Sequence, residues 1–268
     1  MQIENDEDLK LLSIMLDKFD PASALWRTVE VKTTLKIIFK IDIHGPIMDL
    51  GCAEGNIAQI VFKDRLVDVG LDNWKELLVK TKDAGIYKFL VLADARLMPF
   101  TGNSFNLVFS NSVIEHIEDI DKVLEEVSYI LKPRGLFIFT VPTDKFGEYL
   151  FFYRVFSSMG LKSIANWYKT KRIELLHHYN LFGKEGWDER LNKFGLKVVD
   201  AQGYLSKTFL SIWDLVAAAG FILRKLRLGF TEKLIKRLVY ANFLRINDSK
   251  ESISLESSAC LVIVAAKL

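Results

Sequence analysis

Short apolar runs alternate with amphipathic segments through the first half of the chain. Five apolar runs predict buried strands, at residues 47–50, 65–72, 87–93, 104–110 and 136–141. The segments between them carry apolar residues at helical spacing, as residues 119–131 do. A regular alternation of strands and helices predicts an α/β fold built on a parallel sheet.

The first strand leads directly into a turn rich in glycine. Residues 47–56 read IMDLGCAEGN, and apolar residues recur at helical spacing from Ile57. Glycines let a ligand approach the backbone, and the start of a helix offers free N–H groups. The dinucleotide fingerprint G-x-G-x-x-G fails here, because Ala53 and Asn56 occupy its second and third glycine positions. The turn therefore predicts a binding site for a different small ligand.

With Asp49, Gly51 and Gly55 in place, this turn resembles the first motif of class I S-adenosylmethionine-dependent methyltransferases of the type 11-like group. The departure is Ala53, where the family has glycine. Later segments extend the resemblance to about residue 142: the strand end at 72, residues 93–100, residues 104–117 and the Lys-Pro-Arg-Gly turn at 132–135. It implies a Rossmann-like sheet of seven strands, mostly parallel with the last antiparallel, and helices on both faces.

The cofactor that the resemblance implies is S-adenosylmethionine. Asp72 ends the second strand about 20 residues after the glycine turn, where such folds place a ribose-binding carboxylate. Its alternative role is to cap the next helix. The family's adenine-binding position falls on Asp94. The predicted cofactor-binding residues are Asp49, Gly51, Cys52, Ala53, Gly55, Asp72, Asn73, Asp94, Ala95, Ser110 and Asn111.

Two histidines are candidate catalytic bases, because imidazole titrates near neutral pH. His116 follows the fourth strand and is the first candidate, and His178 is the second. The alternative is that Glu115 and His116 only shape the loop and cap the next helix. We expect no metal site, because no cysteine or acidic partner stands at suitable spacing near His178.

The second half of the chain carries two insertions. Residues 143–182 are rich in aromatic side chains and predict a helical lid, which favours a hydrophobic or lipid-linked acceptor. In the second insertion, residues 204–255, an apolar helix precedes residues 224–245, which hold seven basic residues and one acidic residue. This pattern predicts a packed lid or dimer face, with a peripheral membrane contact through residues 208–245 as the alternative.

We predict a single domain over residues 1–268. The N-terminal helices take residues 1–40, and the cofactor-binding core takes residues 41–142. A helical lid follows at residues 143–182. The rest of the core comprises residues 183–203 and 256–268, and the second insertion lies between them at residues 204–255.

Composition narrows the functional classes further. The net charge of +2 gives no indication of a nucleic-acid partner, and two cysteines suit a reducing compartment. The first ten residues are polar and acidic, so we expect no secretory signal and a cytoplasmic location. We predict a methyltransferase acting on a small-molecule acceptor, with the oligomeric state open. A non-catalytic cofactor-binding scaffold and a disfavoured NAD(P)-dependent oxidoreductase are the alternatives.

Overall fold

The protein is described by a computed structural model that covers residues 2–63, 65–82, 85–225, 230–247 and 253–268. Its centre is a sheet of seven strands in the order β3-β2-β1-β4-β5-β7-β6. The strands are β1 (Ile47–Leu50), β2 (Val67–Asp72), β3 (Tyr87–Leu92), β4 (Phe105–Asn111), β5 (Leu131–Pro142), β6 (Leu196–Tyr204) and β7 (Cys260–Lys267). The β1–β2, β2–β3, β1–β4 and β4–β5 pairs are parallel, and β7 is antiparallel to β5. The predicted fold class is confirmed.

Strand β1 occupies the middle of the parallel part of the sheet. All four of its residues are buried, and Met48 pairs with Val69 on one side and with Val108 on the other. The chain leaves β1 for β2 on one side and returns to β4 on the other side. Ligands of open α/β sheets bind where the strand order reverses in this way, beyond the carboxyl ends of the strands.

Eleven α-helices are assigned within the described residues. They are α1 (Gln2–Lys18), α2 (Pro21–Ile38), α3 (Asn56–Val61), α4 (Lys75–Thr81), α5 (Ile120–Ile130), α6 (Phe146–Tyr149), α7 (Phe151–Ser158), α8 (Lys162–Leu175), α9 (Lys184–Lys193), α10 (Lys207–Lys225) and α11 (Phe230–Asn247). None of these described helices is long and apolar enough to cross a membrane. The sequence predicts a helix over residues 73–83 after Asp72, and its last residue, Asp83, lies outside the described residues, as does Arg227 of the basic segment.

The chain divides into two compact units. The first contains residues 1–32, 145–176 and 203–259, and the second contains residues 33–144, 177–202 and 260–268. The second unit holds most of the sheet, whereas the first holds α6–α8 and α10–α11, the helices of the two predicted insertions. Residues 177–182, at the end of the first predicted insertion, belong to the second unit. The single-domain organisation stays a prediction.

The first unit has its own aromatic core. Trp26, Phe146 and Trp213 contact one another edge to face, with ring centroids 5.3–5.9 Å apart. Beside them, the fully buried carboxylate of Asp214 accepts hydrogen bonds from the Tyr168 hydroxyl at 2.8 Å and from Arg172 at 3.1 Å. One aromatic residue from the N-terminal helices and one from each insertion therefore share one core.

Strand β5 begins five residues earlier than the apolar pattern predicts. Phe105 pairs with Leu131, but Leu107 already pairs with Leu136, so the intervening residues form an irregularity in the strand. Arg134 within it adopts a left-handed φ of 65°. The Lys-Pro-Arg-Gly turn that ends α5 therefore lies inside the strand as a bulge, not before it.

Candidate functional site

The glycine turn lies at the carboxyl end of β1 and is fastened to β2. The backbone N–H groups of Gly51 and Cys52 both donate to the carbonyl of Leu71, at 2.8 and 3.0 Å. Gly51 has φ +76°, and a β carbon there would collide with the side chain of Val113. Gly55, the residue before α3, has φ +74°. Both glycines are therefore required by the backbone geometry of the turn.

Ala53 and Cys52 occupy the middle of this turn. Ala53 adopts the left-handed region with φ 45°, a conformation that glycine reaches without steric cost. Its carbonyl accepts a hydrogen bond from the Thr81 hydroxyl. Cys52 is buried, and burial raises the pKa of its thiol, so the group is a neutral packing residue. The departure from the family pattern thus costs conformational strain but leaves the turn intact.

Asp72 ends β2 and holds the turn through its carboxylate. One oxygen accepts from the Ala53 N–H at 2.9 Å, and the other accepts from the Trp74 N–H at 2.9 Å. The residue before α4 is Trp74, so Asp72 lies outside the cap position, and Asn73 between them is exposed. Each carboxylate oxygen has a second lone pair, so the group retains the capacity to accept hydroxyl hydrogen bonds.

Asp49 lies within β1 and is almost completely buried, with 4% of its surface exposed. The Tyr87 hydroxyl donates to its Oδ2 at 2.5 Å. Burial raises the pKa of Asp49 to about 7, against the lowering effect of the Tyr87 hydrogen bond and with a further rise from the charge of Asp72. Gly70 makes room for the Tyr87 ring, since a β carbon there would lie 2.9 Å from the ring. A carboxyl group whose pKa lies near neutral pH ionises more readily when a cation lies beside it.

Asp94 follows β3 and is more exposed than the other two carboxylates. Arg96 binds it through Nε at 3.0 Å and Nη2 at 2.6 Å, and this pair lowers the pKa of Asp94. Ala95 beside it is buried. The backbone N–H of Ala93 donates to the Asp72 carbonyl at 3.1 Å, which joins the ends of β2 and β3. Asp49, Asp72 and Asp94 therefore belong to the ends of three neighbouring parallel strands.

Ser110 and Asn111 close β4. Ser110 is fully buried, and its hydroxyl donates to the Leu50 carbonyl at 3.0 Å, so its side chain joins β4 to β1. Asn111 is the last residue of β4 and is partly exposed. Cofactor binding by these two residues stays a prediction.

His116 and His178 come together although 61 residues separate them in the chain. Their ring centroids lie 5.2 Å apart, and His116 Nε2 lies 3.7 Å from Oε1 of Glu115. Glu115 is 1% exposed, whereas the His116 side chain is 41% exposed. The sequence predicts only a loop-shaping role for Glu115, but in the structure Glu115 forms one cluster with the two candidate bases. No cluster member caps α5, because the residue before that helix is Asp119.

Residues 177–180 are held by hydrogen bonds against residues 114–117, and this places His178 beside His116. The N–H of Tyr179 donates to the Glu115 carbonyl at 2.8 Å. The buried amide of Asn180 donates to the carbonyls of Ile114 and Ile117, at 2.9 and 2.6 Å. Sequence reasoning missed Asn180, because nothing in its local pattern marks an amide whose partners lie more than 60 residues away.

Comparison with protein families identifies the central segment. Residues 48–139 match the model described as a methyltransferase domain. This range contains the glycine turn, the three carboxylates and the Glu115–His116 pair.

Individual relatives match to different extents. The human mitochondrial arginine-hydroxylase NDUFAF5 is 37% identical over 103 residues, which are 38% of this chain and 30% of that protein. The chain therefore aligns with less than a third of that relative's length. The ubiquinone biosynthesis O-methyltransferase of Brucella anthropi is 23% identical over 74% of this chain and 80% of that protein.

The solved structures with a similar fold include an S-adenosylmethionine-dependent methyltransferase of Thermotoga maritima, described as a possible histamine N-methyltransferase. Its TM-score is 0.55 at 14% identity, and the match covers 90% of this chain and 91% of that chain. At this identity the similarity concerns the fold. It agrees with the sheet order and with the antiparallel β7.

Proposed function

We propose that this chain, whose residues 48–139 form a methyltransferase domain within a class I S-adenosylmethionine-dependent methyltransferase fold, transfers a methyl group from S-adenosylmethionine to a small acceptor. The observation that carries the proposal is the placement of three carboxylates at the ends of β1, β2 and β3, around the turn of residues 51–55.

The donor set fits the cofactor's chemistry. Asp49 is a buried carboxyl whose ionised form a neighbouring ammonium group would stabilise, so we assign it to the amino-acid tail. Asp72 retains lone pairs for a ribose diol, and we assign Asp94 to the adenine amino group. Gly51 and Gly55 permit the backbone conformation that brings the turn close to the ligand.

The reaction requires alignment more than activation. When bound, S-adenosylmethionine supplies an electrophilic methyl group on a positively charged sulfur. The work left to the protein is to hold the acceptor in line and to exclude water. We propose that the cluster of Glu115, His116 and His178 acts on the acceptor, with His116 as the first candidate to accept its proton and His178 as the second.

Features of the first unit favour a hydrophobic acceptor. An open pocket of about 520 Å³ is lined by Tyr149, Phe151 and Tyr153, together with the cations Arg154 and Lys207 and the carboxylate Glu148. Aromatic faces suit an apolar ligand, and the charged side chains of the lining leave one net positive charge. This lining supports the prediction of a hydrophobic or lipid-linked molecule.

A peripheral membrane contact is a further part of the proposal. Phe221 and Ile222 on α10 are at least half exposed and stand two to three residues before Arg224, which Lys225 follows. Exposed apolar side chains beside basic residues bind anionic bilayers. Flotation with anionic vesicles at low salt tests this part, and absence of binding would remove it. We place the protein in the cytoplasm, at or near such a surface.

The decisive experiment measures cofactor binding by calorimetry. We expect micromolar affinity for S-adenosylhomocysteine, about −8 kcal/mol. Asp72→Ala should weaken binding at least tenfold, because one hydrogen bond to a charged group contributes about 1.5–3 kcal/mol. Asp68→Ala is the matched control, since Asp68 stands on the same strand and pairs with Lys88. Equal affinity in both variants would contradict the assignment.

A second function deserves a test because the human relative is named an arginine-hydroxylase. A similar core could therefore support a reaction other than methyl transfer. Mass spectrometry of acceptors incubated with the protein distinguishes an added methyl group from an added oxygen atom. Cofactor binding without either product would favour the scaffold alternative, and binding of NADH in place of S-adenosylhomocysteine would favour the oxidoreductase.

A further inference from the structure

We propose that Glu115, His116 and His178 form a binding site for a divalent transition-metal ion. Each side chain offers one ligand atom, and these atoms all lie within 4.8 Å of one another. Local spacing does not reveal this group, because Glu115 stands far from His178 in the chain. All three residues belong to the second unit, so the site is complete within one compact part of the protein.

The three ligands match the chemistry of zinc and its neighbours in the first transition row. Two imidazoles and one carboxylate suit Zn²⁺ in catalytic sites, and the same set holds iron in non-haem oxygenases. With metal–ligand distances of about 2.1 Å, two ligands of a tetrahedral ion stand about 3.4 Å apart. The separation of 3.7 Å between Glu115 Oε1 and His116 Nε2 is close to that value. Three protein ligands also leave at least one position open.

The tautomer of His116 is set by its second nitrogen. Nδ1 lies 3.1 Å from the His177 carbonyl oxygen, which can only accept a hydrogen bond. The proton therefore resides on Nδ1, and Nε2 presents its lone pair on the side of Glu115. Histidines that bind metals commonly donate their other N–H to a backbone carbonyl in this way, which fixes the ring and raises its basicity.

The site is held in place before any ion arrives. The hydrogen bonds of Tyr179 and Asn180 fasten the segment that carries His178 to the backbone of residues 114–117. Glu115 is buried, so the protein shields its carboxylate from water. The ring of His116 is partly exposed, so an ion can reach the cluster from solvent. A fixed carboxylate beside two imidazoles gains more from a cation than a flexible surface group does.

Metal binding would change what these residues do. An imidazole nitrogen bound to a metal has no lone pair with which to accept a proton. In the loaded protein an acceptor oxygen would instead be polarised by the ion at its open position. The inference does not rest on the proposed function, because metal binding is measured without cofactor and without turnover.

The test is equilibrium dialysis of the chelator-treated full chain against ZnCl₂, followed by metal analysis. We expect about one equivalent of Zn²⁺ and a loss of affinity of at least tenfold in Glu115→Gln and in His178→Asn. The controls are His177→Asn and His44→Asn, which remove the remaining two of the four histidines. His177 adopts φ 52°, a conformation that asparagine tolerates, and its side chain is not part of the cluster.

Retention of Zn²⁺ by both controls, with loss in both cluster variants, supports the site. Equal loss in all four variants, or none in any, overturns it. If a cluster variant fails to fold, the visible spectrum of wild type with Co²⁺ decides. The intense bands of a four- or five-coordinate ion support the site, and the weak bands of an octahedral ion contradict it.

Discussion

Cofactor affinity should depend on pH through Asp49. Its pKa lies near 7, and the ionised carboxylate is the form that pairs with the ammonium group of the ligand's tail. Between about pH 6 and about pH 7.5 its ionised fraction rises from roughly 9% to roughly 76% if only this group titrates. Because apparent affinity scales with the competent fraction, binding of S-adenosylhomocysteine should tighten about eightfold, or about 1.3 kcal/mol.

The assay is calorimetric titration across this window. The ligand's own amino group, with a pKa of about 7.7–8, is roughly 60–75% protonated at about pH 7.5, which reduces the observed tightening to about five- to sixfold. The control ligand is methylthioadenosine, which has the nucleoside but no amino-acid tail and should show no tightening. Tyr87→Phe removes the hydrogen bond that lowers the pKa of Asp49, so the midpoint should move to higher pH. Equal pH dependence for both ligands, or an unchanged profile in Asp49→Asn, would refute the reasoning.

Four further outcomes are expected. The pKa of Asp49 is higher in the folded than in the unfolded chain, so the folded state binds the proton more tightly and the stability falls as pH rises from about 4 to about 7. Above that window, Asp49→Asn should recover up to about 4 kcal/mol of the lost stability. The measurement is the melting temperature of the variant, which should exceed that of wild type at high pH but not at low pH. Gly51→Ala should cost roughly 2–5 kcal/mol in denaturant unfolding and abolish cofactor binding, because its β carbon meets Val113 in a left-handed conformation. Ala53→Gly should do the opposite and stabilise by up to about 1 kcal/mol, since it releases a left-handed alanine; a loss of stability would contradict this. Asn180→Ala should cost about 2–4 kcal/mol by leaving two carbonyls without their amide donor, and an unfolding free energy equal to wild type would count against the role given to it.

The strands and the glycine turn could be predicted because their signals are local. The run before Gly51 is apolar except for Asp49, and the spacing from the turn to Asp72 follows from one helix and one further strand. The bulge in β5 could not be predicted in the same way. Proline and glycine at residues 133 and 135 normally end a segment, whereas here Leu131 pairs with Phe105 and lies within the sheet.

The chemistry of the site was less accessible to sequence reasoning. Tyr87 opens the third strand and carries no motif, but its ring passes over Gly70 and reaches Asp49. Likewise, the carboxylate of Glu115 lies near His178 because Tyr179 and Asn180 fasten one segment to another that is distant in the sequence. When side chains from two distant segments act together, neither segment shows a sequence pattern that predicts the contact.

The position of β7 has a consequence for the order in which the protein forms. Residues 260–267 lie between β5 and β6, both of which are synthesised earlier. While these residues are still in the ribosome, β5 has an open edge and β6 has no partner in the sheet. The nascent chain therefore passes through a stage with exposed backbone groups on both strands, and chaperone capture should be strongest just before β7 emerges.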